Sequence, residues 1–463
     1  MVRTIRFHSS LRKVTMIILE KRCMRGSESE GAMTMRPEGY LPRLLDATVE
    51  RGLAGFGAVE VTGAKFCGKT WRSLAHGQSV VRIDDDAVRS LVGIQPELAL
   101  EGESPPVIDE WQEVPRVWDA ARRRVDETGN AKGGFLLAGS STADMSKVSH
   151  SGAGRTARVR MRPMSLQESG DSDGSVSLAG LFYGEFAPGQ AETDIRDISQ
   201  LICRGGWPAA LGLGEDLAGD LPSQYLSALF EVSAPKRGLD PRMARRVATA
   251  LARNMGRTAT YRTLYADVFA EEPPSGMDNS QIRQALLPFL SFFDSQYFVE
   301  VQAGWDAPVK SKSRVRSKPK RTFVDPSLPA SLLSVTPKRL LLEQQLLGDL
   351  FEELCLRDVR VYSSAMGLAT DPGVFYYGDA DGLEVDLIVE LPDGRWGAME
   401  VKLSEDEVPK GVASLMRLRD KVMANPAAQN REPSFMAVLV GKASFKRVTP
   451  EGVYVVPITC LGA

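Results

Sequence analysis

Histidine is nearly missing from this chain of 463 residues. The three present, His8, His76 and His150, have no metal-ligand spacing, which argues against a histidine metal centre. Cysteine is also sparse. Cys23, Cys67, Cys203, Cys355 and Cys460 form no CxxC pair and are odd in number, so neither a disulfide framework nor a zinc site is expected. A reducing compartment fits that usage. A formal net charge of -2 excludes a chain that coats nucleic acid with its whole surface, while leaving room for one basic face. Long apolar runs are absent too: Val14 to Leu19, interrupted by Thr15, falls well short of the roughly 18 residues a membrane span requires. A soluble, cytoplasmic protein with no membrane partner is the expectation, and no internal repeat or low-complexity tract complicates it.

What is present is ordinary globular composition, 43% hydrophobic and 25% charged, in a length suited to about two to four domains. The start is unusual. Arg3, Arg6, Arg12, Lys13, Lys21, Arg22 and Arg25 form a basic stretch with no acid before Glu20. Its apolar centre is short and no small-residue cleavage site follows, which weighs against a targeting peptide. Residues 1–37 therefore read as a basic, disordered tail, or as an over-long start with translation beginning near Met33 or Met35.

From Tyr40 strands and helices alternate. Leu41 to Arg51 reads as a helix, and strands are expected at Ala58 to Thr62, Val80 to Ile83, Pro106 to Ile108, Phe135 to Ala138 and Ala157 to Met161. That alternation is the pattern of a parallel α/β sheet. Near Asp240 helices take over, at Arg242 to Asn254, Tyr261 to Phe269 and Asp278 to Phe293, followed by a strand at Tyr297 to Val301. Three helices and a strand pair outline a winged helix. A cationic ribbon of Lys310, Lys312, Arg314, Arg316, Lys318, Lys320 and Arg321 precedes a strand at Thr322 to Val324. The last third reads as a helix at Pro337 to Leu356, strands at Val359 to Tyr362, Val374 to Tyr377, Glu384 to Glu390, Trp396 to Lys402 and Phe435 to Val440, and a helix at Asp406 to Met423.

Gly63, Ala64, Lys65, Phe66, Cys67, Gly68, Lys69 and Thr70 satisfy GxxxxGK[ST] between a strand and a helix. Such a loop turns backbone N–H groups towards phosphate oxygens, and the helix N-terminus adds positive potential. Lys69 is expected to reach the β- and γ-phosphates of ATP and Thr70 to give its hydroxyl to Mg²⁺. Asp109 and Glu110 end an apolar strand, where Asp109 can hold Mg²⁺ and Glu110 can polarise the attacking water. Ser140 ends another strand and reads either as a sensor of the γ-phosphate or as a turn cap. Arg155 reads either as an arginine finger acting in trans, which implies a homo-oligomer, or as a surface arginine.

In the last third, Asp386 lies on one strand and Glu400 and Lys402 lie on the next, two residues apart and so on one face. Two carboxylates suit Mg²⁺, which polarises phosphodiesters, and Lys402 can position or deprotonate water. A strand pair with alternating charge on its exposed face is the alternative.

Together the first set of motifs resembles the AAA+ ATPases, in the bacterial and archaeal group that joins such a module to a C-terminal domain of unknown function. The resemblance runs from about Tyr40 to the C-terminus. It also rests on Asp109-Glu110-Trp111-Gln112, His150-Ser151-Gly152-Ala153-Gly154-Arg155, Arg162-Pro163-Met164-Ser165-Leu166, Gly205-Gly206-Trp207-Pro208 and Asp325-Pro326-Ser327-Leu328. Phe66 stands where such proteins commonly carry glycine, and Trp71 where a second threonine is usual. The acidic strands resemble the PD-(D/E)xK nuclease core, with Val385 in the usual place of proline and Glu352 as the further acidic member that resemblance implies. The expected fold is thus α/β: an AAA+ parallel-sheet P-loop domain at 38–236, a winged-helix-like domain at 237–308 and an α/β nuclease-like domain at 309–463. The expected activity is ATP hydrolysis with Mg²⁺, coupled to the C-terminal domains. DNA and a second copy through Arg155 are candidate partners. A nucleotide-switched binding module with an inactive nuclease-like fold, and an ATP-gated nuclease, are the alternatives.

Overall fold

The structure, a computed structural model, describes residues 35–142, 148, 151–274, 276–308, 311, 318–367 and 373–463. The basic start, His150, and Lys310, Lys312, Arg314 and Arg316 of the ribbon lie outside the described residues. The chain divides into two compact units, one ending at Met161 and one running Arg162–Ala463. The compact division thus falls well before residue 236, where the sequence pattern placed the end of the ATPase segment.

The first unit holds a five-stranded sheet of β1 (Ala58–Gly63), β2 (Ser79–Arg82), β3 (Pro106–Asp109), β4 (Phe135–Gly139) and β5 (Thr156–Met161), in the order β2-β3-β4-β1-β5. Every pairing is parallel. The central strands are apolar almost throughout because both faces are covered, as a parallel sheet requires. Val49 of α1 (Asp46–Gly55) packs with Val59, Val61, Leu136 and Val159 on one face. Val117, Trp118, Ala121 and Val125 of α2 (Arg116–Glu127) pack with Ala58, Ile108 and Leu137 on the other. α1 begins later than the pattern from Leu41 suggested. The Asp46 carboxylate accepts the Arg43 N–H at 2.9 Å and the Tyr40 hydroxyl at 2.8 Å, holding residues 40–45 in a lead-in turn.

β4 lies between β1 and β3, so the segments following these three strands emerge side by side at one edge of the sheet. Carboxyl-terminal edges of open α/β sheets are where ligands bind, because strand order changes direction there and leaves a crevice.

In the second unit, helices Pro241–Arg253, Tyr261–Phe269 and Asn279–Ser295 start at side-chain caps from Asp240, Thr260 and Asp278. An antiparallel pair follows, β6 (Val299–Gln302) with β7 (Lys320–Phe323). A mixed sheet then runs β8 (Gly373–Gly378), β9 (Glu384–Glu390), β10 (Trp396–Ser404), β11 (Phe435–Val448) and β12 (Tyr454–Pro457) in spatial order, with strand Gly189–Thr193 added antiparallel to β11. β10 and β11 are parallel, and helix Val408–Ala424 makes the crossover a parallel pair needs.

Two expectations fail here. Val359 to Tyr362 is not a strand but the interior of the helix Gln344–Ala365, and the helix expected over Pro337 to Leu356 is instead a short turn, Pro337–Leu340, followed by that longer one. From Phe351 to Ser364 nearly every residue is buried, so the helix lacks a polar stripe, and a short apolar run inside it imitates a buried strand. Lys320 departs as well. It is 2% exposed rather than part of a solvent-facing basic ribbon.

That long helix also organises a buried polar network. Arg357 pairs with Asp325 at 3.0 Å and Asp358 at 2.7 Å. Asp358 accepts the Leu166 N–H at 3.0 Å, and Asp325 accepts the Gly206 N–H at 2.9 Å. The Trp207 indole donates to Ser327 at 2.9 Å. Gly205 has φ +71°, and a Cβ there would lie 2.4 Å from both Asp325 and Ser327, so glycine is the residue that fits. Arg162 and Arg360 meet on Glu300 at 3.0 and 2.8 Å. Three separated motifs, at 162–166, 205–208 and 325–328, therefore share one closed set of hydrogen bonds.

Candidate functional site

The loop after β1 has the backbone that a phosphate cradle demands. Gly63 has φ +147° and a Cβ there would meet the Met161 carbonyl oxygen at 2.0 Å; Gly68 is left-handed at φ +99° and caps helix Lys69–His76. Phe66 is left-handed too, at φ +63°, which costs an L-residue about 1 kcal/mol and which glycine would avoid. The first turn of the helix presents the N–H groups that no intrahelical carbonyl satisfies. Lys69 is buried, and its ammonium donates to the Ala64 carbonyl at 2.7 Å, within the loop itself.

The strands bring the acidic residues to this loop. Thr70 Oγ1 donates to the Asp109 carboxylate at 3.1 and 3.2 Å. Burial, with the neighbouring Glu110 charge, pushes the Asp109 carboxyl up to about 6, against the opposing Thr70 hydroxyl, Arg82 and Lys69. Glu110 is left-handed, at φ +54°, which turns its side chain off the end of β3. Its Oε2 accepts the Ser140 hydroxyl at 2.8 Å and the Gln112 amide. Ser140 thus touches Glu110 directly from the next strand. The hydroxyl and carboxylate oxygens of Thr70 and Asp109 are the hard donors Mg²⁺ takes, and Mg²⁺ needs few protein ligands when phosphates complete its shell.

Arg155 is elsewhere. It precedes β5, whose first residue, Thr156, is in register with Ala58 at the start of β1. The phosphate loop lies beyond the other end of β1, six residues on and about 20 Å away at the usual rise. Arg155 pairs with Asp126 at 3.0 Å. In its own subunit it therefore has no access to the loop.

Two contributors escaped the sequence reading. Gln112 was visible in the Asp-Glu-Trp-Gln run but had no role until its amide met Glu110. Arg43 donates to the Cys67 carbonyl of the loop at 2.9 Å, and no local pattern marks a contact spanning 24 residues.

In the second unit the register Leu387↔Met399 sets Asp386 opposite Glu400. Lys402 bonds Glu400 and stands 3.8 Å from Asp386, whose carboxylate accepts the Val401 N–H at 2.8 Å. Burial, with Asp386 opposite, pushes the Glu400 carboxyl up, while Lys402 opposes this. Glu352 also borders this cluster, in a cleft of about 630 Å³ with Asp349, Asp386 and Lys402. Its partner is Lys320, at 3.5 Å, which also contacts Glu384 at 2.5 Å. The four predicted residues are brought together, and Glu384 and Lys320 join them unannounced. Glu384 shares the strand face of Asp386 by the period of two, a usable signal; Lys320 gave none. Two ammonium groups, those of Lys320 and Lys402, stand among the four carboxylates of Glu352, Glu384, Asp386 and Glu400. Among the described residues no group of three or more His, Cys, Asp or Glu side chains is placed to hold a metal ion.

Comparison with known families gives matches over three stretches of the chain. Residues 56–170 match the family described as AAA domain, a stretch that contains the phosphate loop, Asp109, Glu110, Ser140 and Arg155. This supports an AAA-like P-loop ATPase domain. Residues 195–339 match a domain of unknown function, DUF8612, and residues 347–461 match another, DUF4143. No curated protein matches. A solved structure, the Walker-type ATPase PABY2304 of Pyrococcus abyssi, is similar at 13% identity over 66% of this chain and 99% of that one, with a TM-score of 0.41. Among the described residues no helix is long and apolar enough to cross a membrane.

Proposed function

We propose that this chain is a Mg²⁺-dependent ATPase whose nucleotide state is passed to C-terminal domains that bind a partner, with DNA the leading candidate. The observation that carries the reading is the Thr70 hydroxyl on the Asp109 carboxylate at 3.1 Å, beside Lys69 and next to the Ser140–Glu110 pair at 2.8 Å. Thr70 and Asp109 would hold the Mg²⁺, which supplies charge neutralisation on the phosphates. Lys69 exchanges the Ala64 carbonyl for β- and γ-phosphate oxygens. Glu110, fixed by Gln112 and Ser140, orients and polarises the attacking water. Because Ser140 is bonded to Glu110, it is positioned to link the γ-phosphate to that base. Arg155, remote from its own loop, acts on the nucleotide of a neighbouring copy.

The segment 237–308 is read as winged-helix-like from its three capped helices and the strand pair that follows. Arg321 donates to the Tyr261 hydroxyl at 3.1 Å, and Arg283 lies over the same ring, giving two cations suited to phosphates. The segment 309–463 is read as a nuclease-like fold used for binding, its acidic residues paired with Lys320 and Lys402. Phosphate release from Mg·ATP, measured for wild type and Lys69→Ala with and without duplex DNA, tests the whole. Hydrolysis lost in the variant and raised by DNA is the expected result. Release unchanged by Lys69→Ala sinks the ATPase reading. Mg²⁺-dependent cutting of the DNA, abolished by Asp386→Ala, would overturn the binding role.

A further inference from the structure

Six tryptophans are present, and five are core residues: Trp111, Trp118, Trp207, Trp305 and Trp396 are each 3% exposed or less. Trp71 alone stands out, at 49% exposed. It is the third residue of the helix that begins at Lys69, on its phosphate-facing first turn. An indole left in water forgoes the largest apolar burial any side chain offers, so its position calls for an occupant.

The helix geometry says where the ring goes. Lys69 turns back into the loop and Thr70 turns to Asp109, both inward. A further 100° of rotation carries Trp71 to the outer rim, and helical side chains tilt towards the N-terminus, hence towards the mouth of the loop. Among the described residues no ring or cation stacks on Trp71. The γ-phosphate end of a nucleotide is fixed by Lys69, Thr70 and Asp109, so its base lies outside the cradle, one ribose and one phosphate from the helix start. A flat aromatic on that rim matches a nucleobase face in shape and chemistry.

We infer that Trp71 is the stacking platform for the nucleobase of the bound nucleotide, and so an affinity-determining residue of this site. This rests on the phosphate-loop reading and deepens it, dividing the affinity into a phosphate part held by the loop and a base part held by the indole.

Isothermal titration and tryptophan emission of the full chain with Mg²⁺, using ATP and inorganic tripolyphosphate as separate ligands, test the division. ATP quenches wild-type emission and Trp71→Phe removes the quench while keeping most of the affinity. Trp71→Ala weakens ATP about tenfold, the weight of a single base–aromatic stack, and leaves tripolyphosphate unchanged. Equal weakening of both ligands would show a merely structural role, and no weakening of either would remove the platform. Tripolyphosphate binding wild type as tightly as ATP does would overturn the base contact while sparing the loop. If neither ligand binds wild type, the loop reading falls and the platform falls with it.

Discussion

Asp109 ends one short strand and Asp325 follows another, both are buried and both sit in motifs noticed in the sequence, yet their surroundings differ in kind. Asp325 is 0% exposed and accepts from the Gly206 N–H, the Ser327 N–H and hydroxyl, and Arg357. Its lone pairs are consumed by fixed donors. Asp109 has the Thr70 hydroxyl and little else within bonding reach, and burial drives its carboxyl up to about 6. A buried acid whose bonds are complete holds a fold together. One left short of donors is poised for a ligand that brings positive charge. The same contrast separates Glu110, held by two neutral donors, from Glu300, held by Arg162 and Arg360.

This comparison can be broken most sharply at Arg357. Arg357→Ala leaves Asp325 and Asp358 buried without a counter-charge, and chemical denaturation is expected to show a loss of about 3–5 kcal/mol. A change under 1 kcal/mol would mean that the network is not structural. Next in size is Glu110→Gln, which keeps the Ser140 and Gln112 partners but removes the base. Mg·ATP affinity should persist while turnover falls by about 10²- to 10⁴-fold, checked by single-turnover hydrolysis beside equilibrium binding. Parallel loss of binding and turnover would assign Glu110 to structure instead.

The smallest expected effect is on stability and depends on pH. With its folded carboxyl near 6 and an ordinary value in the unfolded chain, Asp109 binds its proton more tightly when folded. Stability from this group is therefore full below about pH 4 and declines as pH rises through 6. Asp109→Asn should leave stability unchanged at pH 4 and raise it at pH 8 by up to about 3 kcal/mol, in the absence of nucleotide and Mg²⁺. A gain of equal size at both pH values would show that charge burial is not its origin. Gain of stability with loss of hydrolysis is the pattern expected of a residue kept for chemistry.

How much of this was legible beforehand varied with the range of the interaction. The first-unit strands were found within a residue or two, since most are short apolar runs and β5 alternates polar with apolar residues. The phosphate loop was legible because its chemistry is local: eight consecutive residues supply backbone, cation and hydroxyl. The helix through Val359 was misread because burial on all sides erases the periodicity that distinguishes helix from strand. Lys320 was misread because a lysine between other cations looks solvated, and only β7 packed near Glu352 and Glu384 makes it a buried counter-ion.

By itself, then, the sequence determined the alternation of strands and helices, the phosphate loop and the pairing of an acidic strand end with it, because these depend on residues near one another in the chain. Tertiary structure alone decided which acids are spent on the fold and which are left for a ligand. It set Arg155 at the far edge of the sheet from its own loop, closed three distant motifs into one network and placed two lysines among four carboxylates. Those outcomes depend on what stands opposite a side chain after folding, and charge, burial and donor count are properties of that company rather than of the residue.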